Sequence, residues 1–201
     1  MNQKDYILFD LDGTLTDPKE GITKSVRHAL NHYGIQVDDL DTLTPFIGPP
    51  LTDSYKKYYG FSDEQAWEGV LVYREYFSER GWHENKEYPG IKEMLDALKK
   101  AGKVLLVATS KPEEFGRKIL EYFGMAGYFD FIGGADMEET RVRKADVIRY
   151  VLEQYGLDRT PETLARCVMV GDREHDVLGA RECGMDGVGV LYGYGDRQEM
   201  D

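Results

Sequence analysis

The chain has 201 residues, 37 acidic against 25 basic, and a formal net charge of −12 at pH 7. That length makes one domain, or one domain with an insertion, and buries a sizeable core without staples. With 14 Tyr, 8 Phe and 2 Trp it is not a disordered chain; without a basic block, nucleic acid and anionic membranes are not expected partners; and no apolar run is long enough to span a membrane.

The first predicted element is a short apolar strand, Tyr6–Phe9, which ends in Asp10-Leu11-Asp12-Gly13-Thr14-Leu15-Thr16-Asp17. Residues 18–88 then read as helical. Asp17-Pro18-Lys19-Glu20 predicts an N-cap, a first-turn proline and the glutamate of a capping box. Ile22, Val26, Leu30 and Tyr33 share one helix face closed by Gly34, Thr44–Leu51 reads as a proline-rich loop, and a second helix carries Trp67, Val70, Leu71, Arg74 and Phe77. The rest alternates helices with four further strands: Val104–Ala108, Phe129–Ile132, Cys167–Val170 and Val188–Leu191. Short, nearly continuous apolar strands alternating with amphipathic helices predict an α/β fold, a doubly wound and mainly parallel Rossmann-like core sheet. Residues 1–15 and 89–201 form that core in this reading, and 16–88 form an inserted α-helical bundle.

In an open α/β sheet, ligands bind beyond the carboxyl ends of the strands. Asp10 and Asp12 lie at that edge, and Gly171-Asp172-Arg173-Glu174-His175-Asp176 brings two more carboxylates to it. Four carboxylates in one place repel one another and call for a cation. All-oxygen ligation suits Mg²⁺, with Asp10, Asp12, Asp172 and Asp176 as candidate ligands. Thr109 and Ser110 end the second core strand just before a helix, where a hydroxyl and free N–H groups make an anion site. A plain Ser cap is the competing reading. Lys144 opens a helix, against the macrodipole, as a cation aimed at phosphate and Asp10; Arg141 and Arg143 compete for that role. His28 and His32 have zinc-like spacing but no third ligand nearby. The glycines Gly187, Gly189, Gly193 and Gly195 read as a close-packed last strand and its exit turn.

FDLDGTLTD, Phe46-Ile47-Gly48-Pro49-Pro50-Leu51, ATSKP and MVGDREHDVLGA together resemble phosphatases of the haloacid dehalogenase superfamily, and within it the phosphoglycolate phosphatase-like branch. The resemblance covers essentially the whole chain. It implies that Asp10 is the nucleophile, forming an aspartyl-phosphate, and that Asp12 protonates the leaving group and then takes a proton from water. It also implies that Thr109 and the Ser110 backbone hold phosphoryl oxygens and that Lys144 balances charge. Mg²⁺ would bind Asp10, the Asp12 main-chain carbonyl and Asp172, with Asp176 orienting the group. An acid at Asp12 favours turnover of phosphate esters, since the ion-pumping relatives carry threonine there.

The resemblance makes 16–88 a cap that selects substrate. Mutases of the superfamily carry an arginine in the cap loop, and none lies between Thr44 and Ser54. Lys24, Arg27 and Arg74 are the candidate cap cations. The expected reaction is Mg²⁺-dependent hydrolysis of a small phosphorylated metabolite such as phosphoglycolate. A 5'-nucleotidase, a pyrophosphatase or a sugar-phosphate mutase on the same core are alternatives, and a phospho-accepting signalling module is the non-enzymatic one. The expected state is a monomer or homodimer. Cys167 and Cys183 have no CxxC spacing and the N-terminus is no signal peptide, so a cytoplasmic setting is expected. Relatives usually continue past the last glycine turn with another strand and helix, so that closing segment is expected to be missing.

Overall fold

The computed structural model describes residues 4–200; residues 1–3 and 201, which the sequence reading assigns to the core, lie outside the described residues. The chain divides into two compact units, residues 1–17 with 87–201, and residues 18–86.

The first unit begins with β1 (Tyr6–Phe9), and β2 (Thr16–Asp17) precedes the chain's exit into the second unit. That second unit holds α1 (Lys19–His32), a 3-10 turn over Leu40–Phe46, α2 (Leu51–Tyr59) and α3 (Asp63–Tyr76). A π-type turn, Phe77–Gly81, and β3 (Lys86–Glu87) lead back to the first unit. There follow α4 (Ile91–Lys100), β4 (Val104–Pro112), α5 (Glu113–Tyr122), β5 (Phe131–Ala135), α6 (Lys144–Tyr155), α7 (Pro161–Leu164), β6 (Cys167–Gly171), α8 (Glu174–Glu182), β7 (Asp186–Gly189) and α9 (Arg197–Met200). No helix among the described residues is long and apolar enough to cross a membrane.

The main sheet has five strands in the order β5-β4-β1-β6-β7, and its pairs are parallel. β1 is central, with Leu8 level with Leu106 on one side and Met169 on the other. Its Ile-Leu-Phe run is apolar because helices cover both faces of an interior parallel strand. One layer of core is Leu8, Leu106 and Met169 under Val147, Ile148, Val151 and Leu152 of α6, with Ala180 of α8. This is the α/β class that the alternating pattern predicts.

Several boundaries differ from the sequence reading. β5 runs through Phe131–Ala135, where Phe129–Ile132 was expected, because Gly133 and Gly134 hide its second half from a propensity reading. β7 spans Asp186–Gly189, where Val188–Leu191 was expected, and is largely exposed, with Val188 48% accessible; an edge strand need not be apolar on both faces. β4 runs on to Pro112, and Ser110 caps no helix: α5 starts after Pro112 without a side-chain cap. The closing residues form the single turn of α9, whose Glu199 takes Arg173 Nε at 2.7 Å.

In the helical unit, Asp17-Pro18-Lys19-Glu20 forms no capping box, for Pro18 stands at the N-cap of α1 with no side-chain hydrogen bond. The box occurs at α3, where Ser62 accepts from the Gln65 N–H and Gln65 accepts from the Ser62 N–H. The proline-rich segment is partly ordered as the 3-10 turn, with Pro45 inside it. Tyr55 lies fully buried, stacked on Phe61 at 5.5 Å and edge-on to Phe46 at 5.1 Å. The buried face of α3 is Ala66, Gly69, Val70, Val72 and Tyr73, while Trp67 and Leu71 are exposed.

Candidate active site

The chain turns sharply as it leaves β1. The Leu11 carbonyl accepts from the N–H groups of Thr14, Leu15 and Thr16, and the Asp10 N–H reaches across to the Val170 carbonyl at 2.9 Å. Asp10 and Asp12 are thereby held, both buried, at the carboxyl edge of the sheet. Gly13 makes the turn possible: its φ is +81°, and a Cβ there would sit 2.1 Å from Asp172 Oδ2. Asp172 follows β6 directly, and Asp176 lies in the first turn of α8, where it accepts from the Arg173 N–H at 3.0 Å.

Lys144 is the first residue of α6 and is buried. Its Nζ lies 2.9 Å from Asp10 Oδ1 and 2.8 Å from Asp176 Oδ1, and donates to the Ala108 carbonyl at 2.9 Å. Burial opposes its charge, but the Asp10 and Asp176 carboxylates outweigh that and hold the ammonium protonated well above the usual range. The competing arginines are committed elsewhere. Arg141 donates to the Gly134 carbonyl and lies 3.6 Å over the Tyr150 ring, and Arg143 pairs with Glu182 at 2.9 Å.

Thr109 is buried, and its hydroxyl accepts from the Lys111 N–H at 3.2 Å; Ser110 beside it is half-buried. Lys111 is a site residue that the sequence reading left unassigned. Its Nζ lies 2.6 Å from Asp12 Oδ2, with both side chains almost fully buried. The available signal was a lysine inside ATSKP, at an edge already crowded with acids. The turn after β7 is a second omission. The Tyr194 N–H donates to Asp172 Oδ2 at 2.8 Å, the Tyr194 hydroxyl bonds Asp17, and the Tyr192 hydroxyl donates to the Thr14 carbonyl at 2.9 Å. A Cβ on Gly193 would fall 2.4 Å from the Asp172 side chain, so the exit turn packs directly on that carboxyl group.

Burial, then the nearby Asp10 charge, pushes the Asp172 carboxyl up to about 7. Burial also raises Asp12 against the pull of Lys111, and Asp176 against that of Lys144. Asp10, Asp172 and Asp176 offer carboxylate oxygens that lie within 4.8 Å of one another. Asp10 Oδ1 and Asp176 Oδ1 each lie within ion-pair distance of Lys144 Nζ and, among the described residues, accept no well-aligned hydrogen bond. Buried carboxylate oxygens with spare acceptor capacity fit a hard, oxygen-seeking divalent cation.

The remaining candidates belong to the helical unit. Lys24 Nζ is held 2.7 Å from Glu20 Oε1 and 2.8 Å from Glu84 Oε1, so two carboxylates already match its charge. Arg27 is half-buried on α1, and the Arg74 guanidinium lies 5.5 Å from the Trp67 ring. His28 and His32 each lie 3.4 Å from a glutamate of α3, Glu75 and Glu68.

A parallel sheet with acids, a hydroxyl and a buried lysine gathered at its carboxyl edge is an arrangement suited to handling phosphate. The chain belongs to the haloacid dehalogenase-like hydrolase family, which it matches over residues 7–190, and it is a phosphatase of that family. It is 47% identical to a 5'-nucleotidase of Pseudomonas aeruginosa, over 96% of this chain and 86% of that protein. It is 45% identical to the tyrosine-protein kinase PtkA of Mycobacterium tuberculosis, spanning 97% of this chain but only 65% of the kinase. A predicted phosphatase from Clostridium acetobutylicum superposes with a TM-score of 0.94 at 46% identity, over 99% of this chain and 90% of that one.

Proposed function

We propose that this phosphatase hydrolyses small phosphate monoesters through a phosphorylated Asp10, with Mg²⁺ held by Asp10, the Asp12 main-chain carbonyl and Asp172, and Asp176 orienting the group. The observation that carries this reading is the buried pair Asp10 and Asp12, each against its own lysine, Lys144 and Lys111. A nucleophile and an acid–base group two residues apart at one strand exit are what a two-step transfer needs.

Asp10 attacks phosphorus; the bond to the ester oxygen breaks, its electron pair stays on that oxygen, and Asp12 supplies the proton. Water then attacks the phosphorus carried by Asp10 and gives its proton to Asp12; the Asp10 oxygen–phosphorus bond breaks, its electron pair returns to the Asp10 carboxylate, and phosphate leaves. The Thr109 hydroxyl and the Ser110 N–H hold the phosphoryl oxygens, and Lys144 balances the charge on Asp10. The metal supplies charge neutralisation for the transferring phosphoryl group when bound.

Nucleoside 5'-monophosphates are the first substrates to test, because the Pseudomonas relative at 47% identity bears the name 5'-nucleotidase. Phosphoglycolate is the second, favoured by the branch that the four motifs resemble. Residues 18–86 are assigned the role of a substrate-selecting cap, with Arg27 and Arg74 its candidate cations, since Lys24 already has two carboxylates on it. The test is phosphate release from these esters, pyrophosphate, hexose phosphates, phosphotyrosine and an aryl phosphate, with Mg²⁺ and with a chelator. Mg²⁺-dependent release, lost in Asp10→Asn, is expected. No release from any ester, or undiminished release by Asp10→Asn, overturns the reading.

A further inference from the structure

The β4 strand does not end cleanly at the site. Thr109 is level with Gly134 of β5, but the next aligned pair is Pro112 with Ala135, so Ser110 and Lys111 bulge out of the ladder. Such a bulge re-aims the side chains it carries. Gly134 accommodates it: a Cβ there would fall 2.5 Å from the Lys111 carbonyl oxygen and 2.8 Å from the Glu113 Cα. The bulge is therefore built into two strands, and it turns the Lys111 ammonium inward to Asp12 Oδ2 at 2.6 Å. The same residue's N–H donates to the Thr109 hydroxyl at 3.2 Å. Asp12 Oδ1, the other oxygen of that carboxyl group, is buried and has no hydrogen-bond partner among the described residues.

A carboxyl group that moves a proton must present one oxygen in one place. Held by neither oxygen, it rotates; held by both, it has no atom left for transfer. We propose that Lys111 is the positioning residue of the acid–base carboxyl: it grips Asp12 Oδ2 and leaves Oδ1 as the atom that passes the proton to the leaving oxygen. This rests on the reading of Asp10 as nucleophile and Asp12 as acid. The step balances as that reading writes it. The Asp10–phosphorus bond forms, the phosphorus–ester-oxygen bond breaks, and the departing oxygen takes the proton from Asp12 Oδ1. Lys111 neither gains nor loses a proton. The two buried lysines thus have separate duties: Lys144 serves Asp10 and Asp176, and Lys111 serves Asp12 and, through its N–H, the Thr109 hydroxyl.

The test uses two esters that differ sharply in their need for an acid, each variant being compared with the wild type on the same ester. A p-nitrophenolate leaves unaided, whereas an alkoxide such as that of glycerol phosphate must be protonated as it leaves. Both give the same phosphorylated Asp10, so kcat/KM covers binding and departure of the leaving group and leaves out the shared hydrolysis of that intermediate. The purified full chain with Mg²⁺ is measured as wild type, Asp12→Asn, Lys111→Met and Lys111→Gln. Asp12→Asn is expected to lose far more on the alkyl ester than on the aryl ester. Lys111→Met and Lys111→Gln are expected to follow it, losing at least about tenfold more kcat/KM on the alkyl ester. An equal loss on both esters by a folded Lys111 variant, or no loss, overturns the inference. If Lys111→Met does not fold, Lys111→Gln, which keeps length and polarity, decides. A wild type inert toward both esters, or an Asp12→Asn variant that loses equally on both, instead overturns the reading of Asp10 and Asp12.

Discussion

Asp10 and Asp12 are two residues apart in sequence, yet each meets a different ammonium group, because the turn at Gly13 and the bulge after Thr109 bring Lys144 and Lys111 in from different elements. Charge in a buried site has to be matched residue by residue, so removing one partner leaves an uncompensated neighbour. Lys144→Met should therefore destabilise the metal-free protein by about 3–5 kcal/mol, since it strips the cation from both Asp10 and Asp176. Denaturant unfolding would show it, and added Mg²⁺ should restore part of the loss. Asp12→Asn should lower turnover of an alkyl ester by roughly 10²–10⁴-fold, and should also lower the melting temperature, because it leaves the buried Lys111 ammonium uncompensated; an unchanged turnover number would remove Asp12 from the chemistry. At this scale the acids were legible in the sequence because their spacing is a pattern. The choice of Lys144 over Arg141 and Arg143 was not, since all three precede or open the same helix and only packing sends the arginines to Tyr150 and Glu182.

Among the elements, helix ends show how local rules yield to context. Asp17 has the composition and spacing of an N-cap, but its carboxylate is taken by the Tyr194 hydroxyl from the far end of the chain. A tertiary hydrogen bond has displaced a local one. Ser62 keeps its cap, accepting from the Gln65 N–H at 3.2 Å. Ser62→Ala should cost about 1 kcal/mol, read as a lower denaturation midpoint with an unchanged slope. Inside the sheet, β4 overruns its apolar run by four residues, and those four carry Thr109, Ser110 and Lys111 to the site. A propensity reading ends the strand at Ala108 because the polar residues look like a loop. Thr109 and Pro112 are held in the strand by Gly134 and Ala135 of β5, with Ser110 and Lys111 bulged between them.

For the whole molecule, the acid-rich charge of −12 has a local counterpart in the site, where protons would compete with the proposed divalent cation for the same oxygens. The Asp172 carboxyl has an ordinary value of 3.8 and burial lifts it to about 7 in the fold. The folded protein thus holds a proton that the unfolded chain gives up. This group favours folding at low pH, and that contribution is lost as pH climbs from about 4 to about 7. A bound cation must displace the proton, so its affinity should rise over the same window. The expected result is a larger Mg²⁺-induced rise in melting temperature at about pH 8 than at about pH 5.5. Equal rises would show that Asp172 is ionised throughout. The two-unit division, residues 18–86 apart from 1–17 and 87–201, is a molecular-scale fact with a sequence trace: the strand-and-helix rhythm stops after Asp17 and resumes near Ile91.

What the sequence determined by itself was set by periodicity and by local chemistry. Buried parallel strands must be apolar on both faces, and a carboxylate cluster must follow the strands whose ends it crowds; both demands are written in consecutive residues. Only the tertiary structure decided which cation meets which acid, that Asp17 binds Tyr194 in place of capping a helix, and that Tyr192–Gly195 closes over Asp172. Those contacts join residues from 22 to 178 positions apart, and nothing local encodes them: they follow from the order of the strands in the sheet and from the glycines that let the chain come close enough to touch.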